Sequence, residues 1–100
     1  MLILLPMDSD DTQEGRLVPV LEAKKWAVLS AEEGQIVEIN YYDTKEEITD
    51  WLEVVVVTGD YEPVQDFMEK QIMVLVAHTQ RSIDDVFEAF LFKELHDMPY

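Results

Sequence analysis

Three short, uninterrupted apolar runs constrain this chain more than any other feature: "LILL" at residues 2–5, "VVVV" at residues 54–57 and "MVLV" at residues 73–76. A strand with one face in water alternates apolar and polar residues, so a continuous apolar run marks a strand covered on both faces. Three such runs in 100 residues call for a sheet buried front and back. An apolar share of 48% is enough to cover it within one domain spanning residues 1–100.

The intervening segments supply the cover. Trp26–Leu29 and Ile36–Tyr42 flank "SAEEG", where Gly34 can take a positive φ, and Val37, Ile39 and Tyr41 alternate with Glu38, Asn40 and Tyr42 as in an antiparallel hairpin. Thr44 and Glu47 have capping-box spacing, so "TKEEITDWL" is expected to open a short helix. Pro63 suits a first helical turn, and Val64, Phe67 and Met68 continue at helical spacing, bridging the second and third apolar runs. Ser82 can cap a last helix whose apolar stripe is Ile83, Val86, Phe87, Phe90 and Leu91. This order gives an α/β architecture: a mixed five-stranded sheet with helices on both faces, the three apolar strands parallel and the Trp26 strand antiparallel beside the first.

Charge and motif content narrow the function. The formal charge of −15, from 22 acids against 7 bases, repels phosphate backbones and anionic lipid, so neither nucleic acid nor a membrane is an expected partner. A basic protein partner is the natural complement of such a surface. No apolar stretch approaches the roughly 20 residues of a spanning helix. "MLILLPM" has neither a basic start nor a small-residue cleavage site, so it reads as a strand, and the expected location is the cytoplasm. Without cysteine the chain has no disulfide and no thiolate for a metal or an iron-sulfur cluster. No P-loop, nucleophile elbow or dinucleotide fingerprint occurs. No catalytic residue is assigned, and the chain is expected not to be an enzyme.

Candidate binding residues fall at one end of the expected sheet. "DSDDTQEG", residues 8–15, follows the first strand, at the rim where open α/β sheets bind ligands. Asp8, Asp10, Asp11 and Glu14 offer hard oxygen ligands, but Gln13 and Pro19 stand where an EF-hand needs glycine and an acid, so no resident metal is assigned. A solvated loop is the plain reading. Asp60, after the fourth strand, lies on the same rim and could approach Asp8, the arrangement a metal-dependent phosphoryl hydrolase requires. His78, after "MVLVA", can ligate a metal or shuttle a proton there, or simply bond backbone and water. His96, in the tail "HDMPY", is given no role. Trp51, Tyr61 and Phe92 lie at element ends and, exposed together, would form a protein-binding surface.

Three stretches, "LILLPMD", "GDYEPVQDFMEKQIMVLV" and "SIDDVFEAFLFKEL", resemble in order and spacing the dinitrogenase iron-molybdenum cofactor biosynthesis (accessory protein) family across nearly the whole chain. The resemblance implies a ribonuclease H-like fold with strand order 3-2-1-4-5 and a role in binding or carrying an anionic metal-sulfur cofactor. Where members commonly show His-Phe-Gly-Arg before the second strand, this chain has Val20, Leu21, Glu22 and Ala23. Tyr41, Tyr42, Asp43 and Thr44 replace a glycine-rich run. No ligand of a metal-sulfur cluster is therefore carried over, and Asp8, Asp10, Asp11, Glu14 and Glu22, with only Arg16 to offset them, would repel an anionic one. Two non-enzymatic readings result: a cofactor carrier of this family, and an acidic protein-binding module that has lost the cofactor.

Overall fold

The computed structural model describes residues 1–98; Pro99 and Tyr100, the end of the expected tail, lie outside the described residues. The elements are β1 (Leu2–Met7), β2 (Lys25–Glu32), β3 (Gln35–Tyr42), β4 (Val54–Val57), α1 (Gln65–Glu69), β5 (Met73–Val76), α2 (Ile83–Leu91) and β6 (His96–Asp97). They form one mixed sheet in the order β3-β2-β1-β4-β5-β6. The three apolar runs are the parallel centre: β4 pairs with β1 on one side and β5 on the other, while β2 lies antiparallel to β1.

The sheet has six strands, not the expected five. The sixth comes from the tail, where His96 and Asp97 pair antiparallel to Val76 and Leu75 and the Met98 N–H donates to the Val74 carbonyl at 3.1 Å. Met98 is buried there. So short and polar a segment carries no alternation of its own; the open edge of β5 recruits it.

Both faces of the sheet are covered because successive side chains of β1, β4 and β5 point to opposite sides. Ile3, Leu5, Met7, Val54, Val56 and Leu75 pack with Ile83, Val86 and Phe87 of α2. Leu4, Val55, Val57, Val74 and Val76 pack with Trp26 and with Phe67 of α1. Ser82 caps α2 by accepting the Asp85 N–H at 3.0 Å. Its buried face is turned slightly from the expected stripe: Ala89 is buried and Leu91 is exposed.

Two local expectations change in extent. The β2–β3 hairpin closes through a two-residue turn in which Glu33 and Gly34 have φ of 52° and 77°, matching the sense in which paired strands twist. The helix expected from Thr44 is a single 3-10 turn, Lys45–Glu47, with the Glu47 carboxylate accepting the Thr44 N–H at 2.9 Å. The cap forms, but β-branched Ile48 and Thr49 follow it and the chain leaves extended from Ile48.

Candidate functional site

The carboxyl ends of β1, β4 and β5 bring the loops carrying Asp8, Asp60 and His78 to one rim of the sheet. At its centre "DSDDTQEG" is the tip of a tight return. The Asp8 N–H donates to the Arg16 carbonyl at 3.0 Å and the Asp8 carboxylate accepts the Arg16 N–H at 2.9 Å. Asp11 Oδ1 accepts the N–H groups of Gln13 and Glu14 at 2.8 and 2.9 Å, which lowers the Asp11 pKa, while the Asp11 carbonyl accepts the Gly15 N–H at 2.8 Å. Leu17 then bridges back to Met7. Two of the four acids thus hold their own backbone, as Asp side chains do in turns. Asp10 and Glu14 remain exposed. Their neighbour Tyr41 has its phenol pKa raised, by burial first and then by the charges of Asp10 and Asp11.

Asp60 is paired differently from Asp8. Its Oδ1 lies 3.0 Å from His78 Nε2, and the His78 ring meets the His96 ring with centroids 5.1 Å apart. The sequence hid this contact because His96 reaches the rim only through β6. Among the described residues, no group of three or more His, Asp or Glu side chains is arranged to hold a metal ion. The Asp8 carboxylate bonds the Arg16 backbone and the Asp60 carboxylate meets His78, so neither acid makes its contact with the other.

Two further residues organise the rim. Arg81 donates to the carbonyls of Ala77, Gln80 and His78 at 2.8, 2.7 and 3.1 Å, fixing the loop between β5 and α2. Glu62 accepts the Val20 N–H at 2.6 Å through one oxygen, and the Thr58 N–H and hydroxyl at 2.8 and 2.5 Å through the other. It thereby ties the loop after β4 to the 3-10 turn Val20–Glu22, where the resembling family has its His-Phe-Gly-Arg stretch. Neither role has a motif: Glu62 joins loops that meet only in the folded chain, and Arg81 bonds carbonyls of its own loop.

Trp51, Tyr61 and Phe92 are exposed, at 80%, 100% and 71%, but do not share a patch. Trp51 precedes β4 and Tyr61 follows it, at opposite ends of the sheet, while Phe92 ends α2 on the face opposite α1. Among the described residues no helix is long and apolar enough to cross a membrane.

No protein-family model matches the sequence, and no curated protein is similar to it at a significant level. Solved structures are. PH0822 superposes with a TM-score of 0.76 at 17% identity, covering 97% of this chain and 96% of its own. A protein described as a "putative dinitrogenase" from Methanocaldococcus jannaschii superposes with a TM-score of 0.77 at 11% identity, covering 97% of this chain and 93% of its own. At these identities the likeness is one of fold, and it extends over nearly the full length of both neighbours.

Proposed function

We propose that this chain is a non-enzymatic binding protein, a divergent relative of the nitrogenase cofactor accessory family with a ribonuclease H-like fold, and that its rim receives a basic protein partner. The family part of this reading rests on the three resembling stretches together with a structural neighbour described in dinitrogenase terms. The partner part rests on one observation: in the segment between β1 and β2 the exposed acids Asp10, Glu14 and Glu22 outnumber the exposed bases Arg16 and Lys24, and Arg81 has its guanidinium committed to three backbone carbonyls. A surface charge pair separated by 6 to 10 Å is worth roughly 0.4 to 1.4 kcal/mol at an effective dielectric of about 40 to 80, before salt screening. Several such terms favour a basic partner and oppose an anionic cluster.

Cofactor carriage is the second reading, favoured by the adjoining His78 and His96 rings, which offer two imidazole nitrogens to a metal at the rim. Native purification from the source cells separates the two. The first reading expects a co-purifying basic protein released by high salt, and molybdenum and iron far below one equivalent. Near-stoichiometric molybdenum or iron, lost in a His78→Ala, His96→Ala double variant, would overturn it in favour of carriage.

A further inference from the structure

A cavity of about 170 Å³ lies away from the rim, between α1 and the extended segment that leads into β4. Its apolar wall is Leu4 of β1, Ile48, Leu52, Phe67 of α1 and Ile72. Leu52 and Ile72 precede β4 and β5, so the cavity sits toward the amino ends of these strands, opposite His78. An apolar cavity of about 150 Å³ is large enough to take up benzene. This one is of that size and is bordered by charge.

The border carries more bases than so acidic a chain would lead one to expect. Lys45 and Lys70, two of only 7 bases, line the cavity with a single acid, Asp50. Lys45 is already engaged, by Glu46 at 2.5 Å and Asp66 at 3.8 Å. Lys70 caps the end of α1 and, among the described residues, has no ion-pair partner within 4 Å, although its charge acts on Glu46, whose pKa is lowered first by Lys45 and in lesser part by Lys70. Trp51, 80% exposed, also borders the cavity and leaves a large indole surface for a ligand to cover.

We propose that this cavity is a binding site for a small apolar carboxylate, its ring or short acyl chain against Leu4, Phe67 and Ile72 and its carboxylate on the Lys70 ammonium. A compact apolar wall sets the size of the ligand, and one cation without a direct ion pair at its edge sets the charge. Asp50 disfavours the carboxylate, so the site prefers ligands whose charged end reaches Lys70. The site is separate from the rim and does not depend on what the rim binds.

The test is a titration of the full chain with phenylacetate, phenylacetamide and 2-phenylethylamine up to about 10 mM, the range for a fragment of this size. Trp51 fluorescence reports binding, since Trp26 is buried and starts from a dry environment. Phenylacetate is expected to shift the emission to the blue saturably and to bind more tightly than the amide or the amine. Lys70→Gln should weaken phenylacetate about tenfold and leave the amide unchanged, the loss expected for one charge-assisted contact. Asp50→Asn should tighten phenylacetate. Both are surface substitutions whose melting curves check that the fold is intact, and neither should alter partner retention at the rim. No saturable response to any probe, equal weakening of acid and amide by Lys70→Gln, or amine binding as tight as the acid would each overturn the assignment.

Discussion

A methyl group added at Gly15 would sit 2.5 Å from the Asp11 carbonyl oxygen and 3.1 Å from the Met7 side chain, too close for either to accommodate without movement. That carbonyl also receives the Gly15 N–H, so the contact cannot open without undoing the turn that Asp11 builds. Gly15→Ala is therefore expected to destabilise the protein by about 1 to 3 kcal/mol, the usual cost of overpacking a closed site. Denaturant unfolding measures it, and a cost below about 0.5 kcal/mol, typical of an open surface position, would mean that the return is loose. The acids beside it were legible as a loop but not as two kinds of acid. Asp8 and Asp11 differ from Asp10 and Glu14 only in which backbone N–H groups lie within reach, and that is set by the loop's path.

At the scale of elements, α2 shows how periodicity and packing divide the work. Its spacing foretold one apolar face, and Ile83, Val86 and Phe87 are buried against β1 and β4. Phe90 stacks on Phe87 with centroids 6.3 Å apart yet is only partly buried. Phe87→Ala should cost about 3 to 5 kcal/mol and Phe90→Ala distinctly less, because a half-covered ring leaves a smaller cavity when removed. Equal costs for the two would show that the end of α2 packs more deeply than its exposure indicates. The segment after Thr44 makes the complementary point: its cap was readable, its length was not. One turn forms, after which Ile48 and Leu52 are taken up by the α1 face of the sheet, a destination local propensity does not encode.

Taken as a whole, the molecule is an acidic body held together against its own charge. A net charge of −15 on 100 residues opposes compaction, and the ion pairs that relieve it among the described residues include surface pairs of Lys25 with Asp43, Lys45 with Glu46 and Asp66, and the Met1 amino group with Glu53. The Asp43 contact raises the Lys25 pKa, which extends that cation's charged range only on the alkaline side. Such pairs contribute little, so screening the repulsion should outweigh screening the pairs. Melting at neutral pH is expected to shift upward by about 4 to 8 °C between about 0.01 M and about 0.5 M sodium chloride, equivalent to roughly 1 kcal/mol. A flat or falling melting temperature would show that the pairs, not the repulsion, dominate.

The sequence by itself determined the central sheet, the hairpin and the last helix, because continuous apolar runs, period-two alternation and a capped apolar stripe are local signatures of burial on two faces, one face and one side. Only the tertiary structure decided the sixth strand, the Asp60–His78–His96 contact, the anchoring by Glu62 and Arg81, and the cavity beside Lys70. All but the Arg81 contacts join segments far apart in the chain, and none needs a residue type that its neighbours in sequence would reveal. A buried strand must be apolar wherever it goes, whereas a loop carboxylate or imidazole finds its role in whatever group folding places within about 3 Å of it.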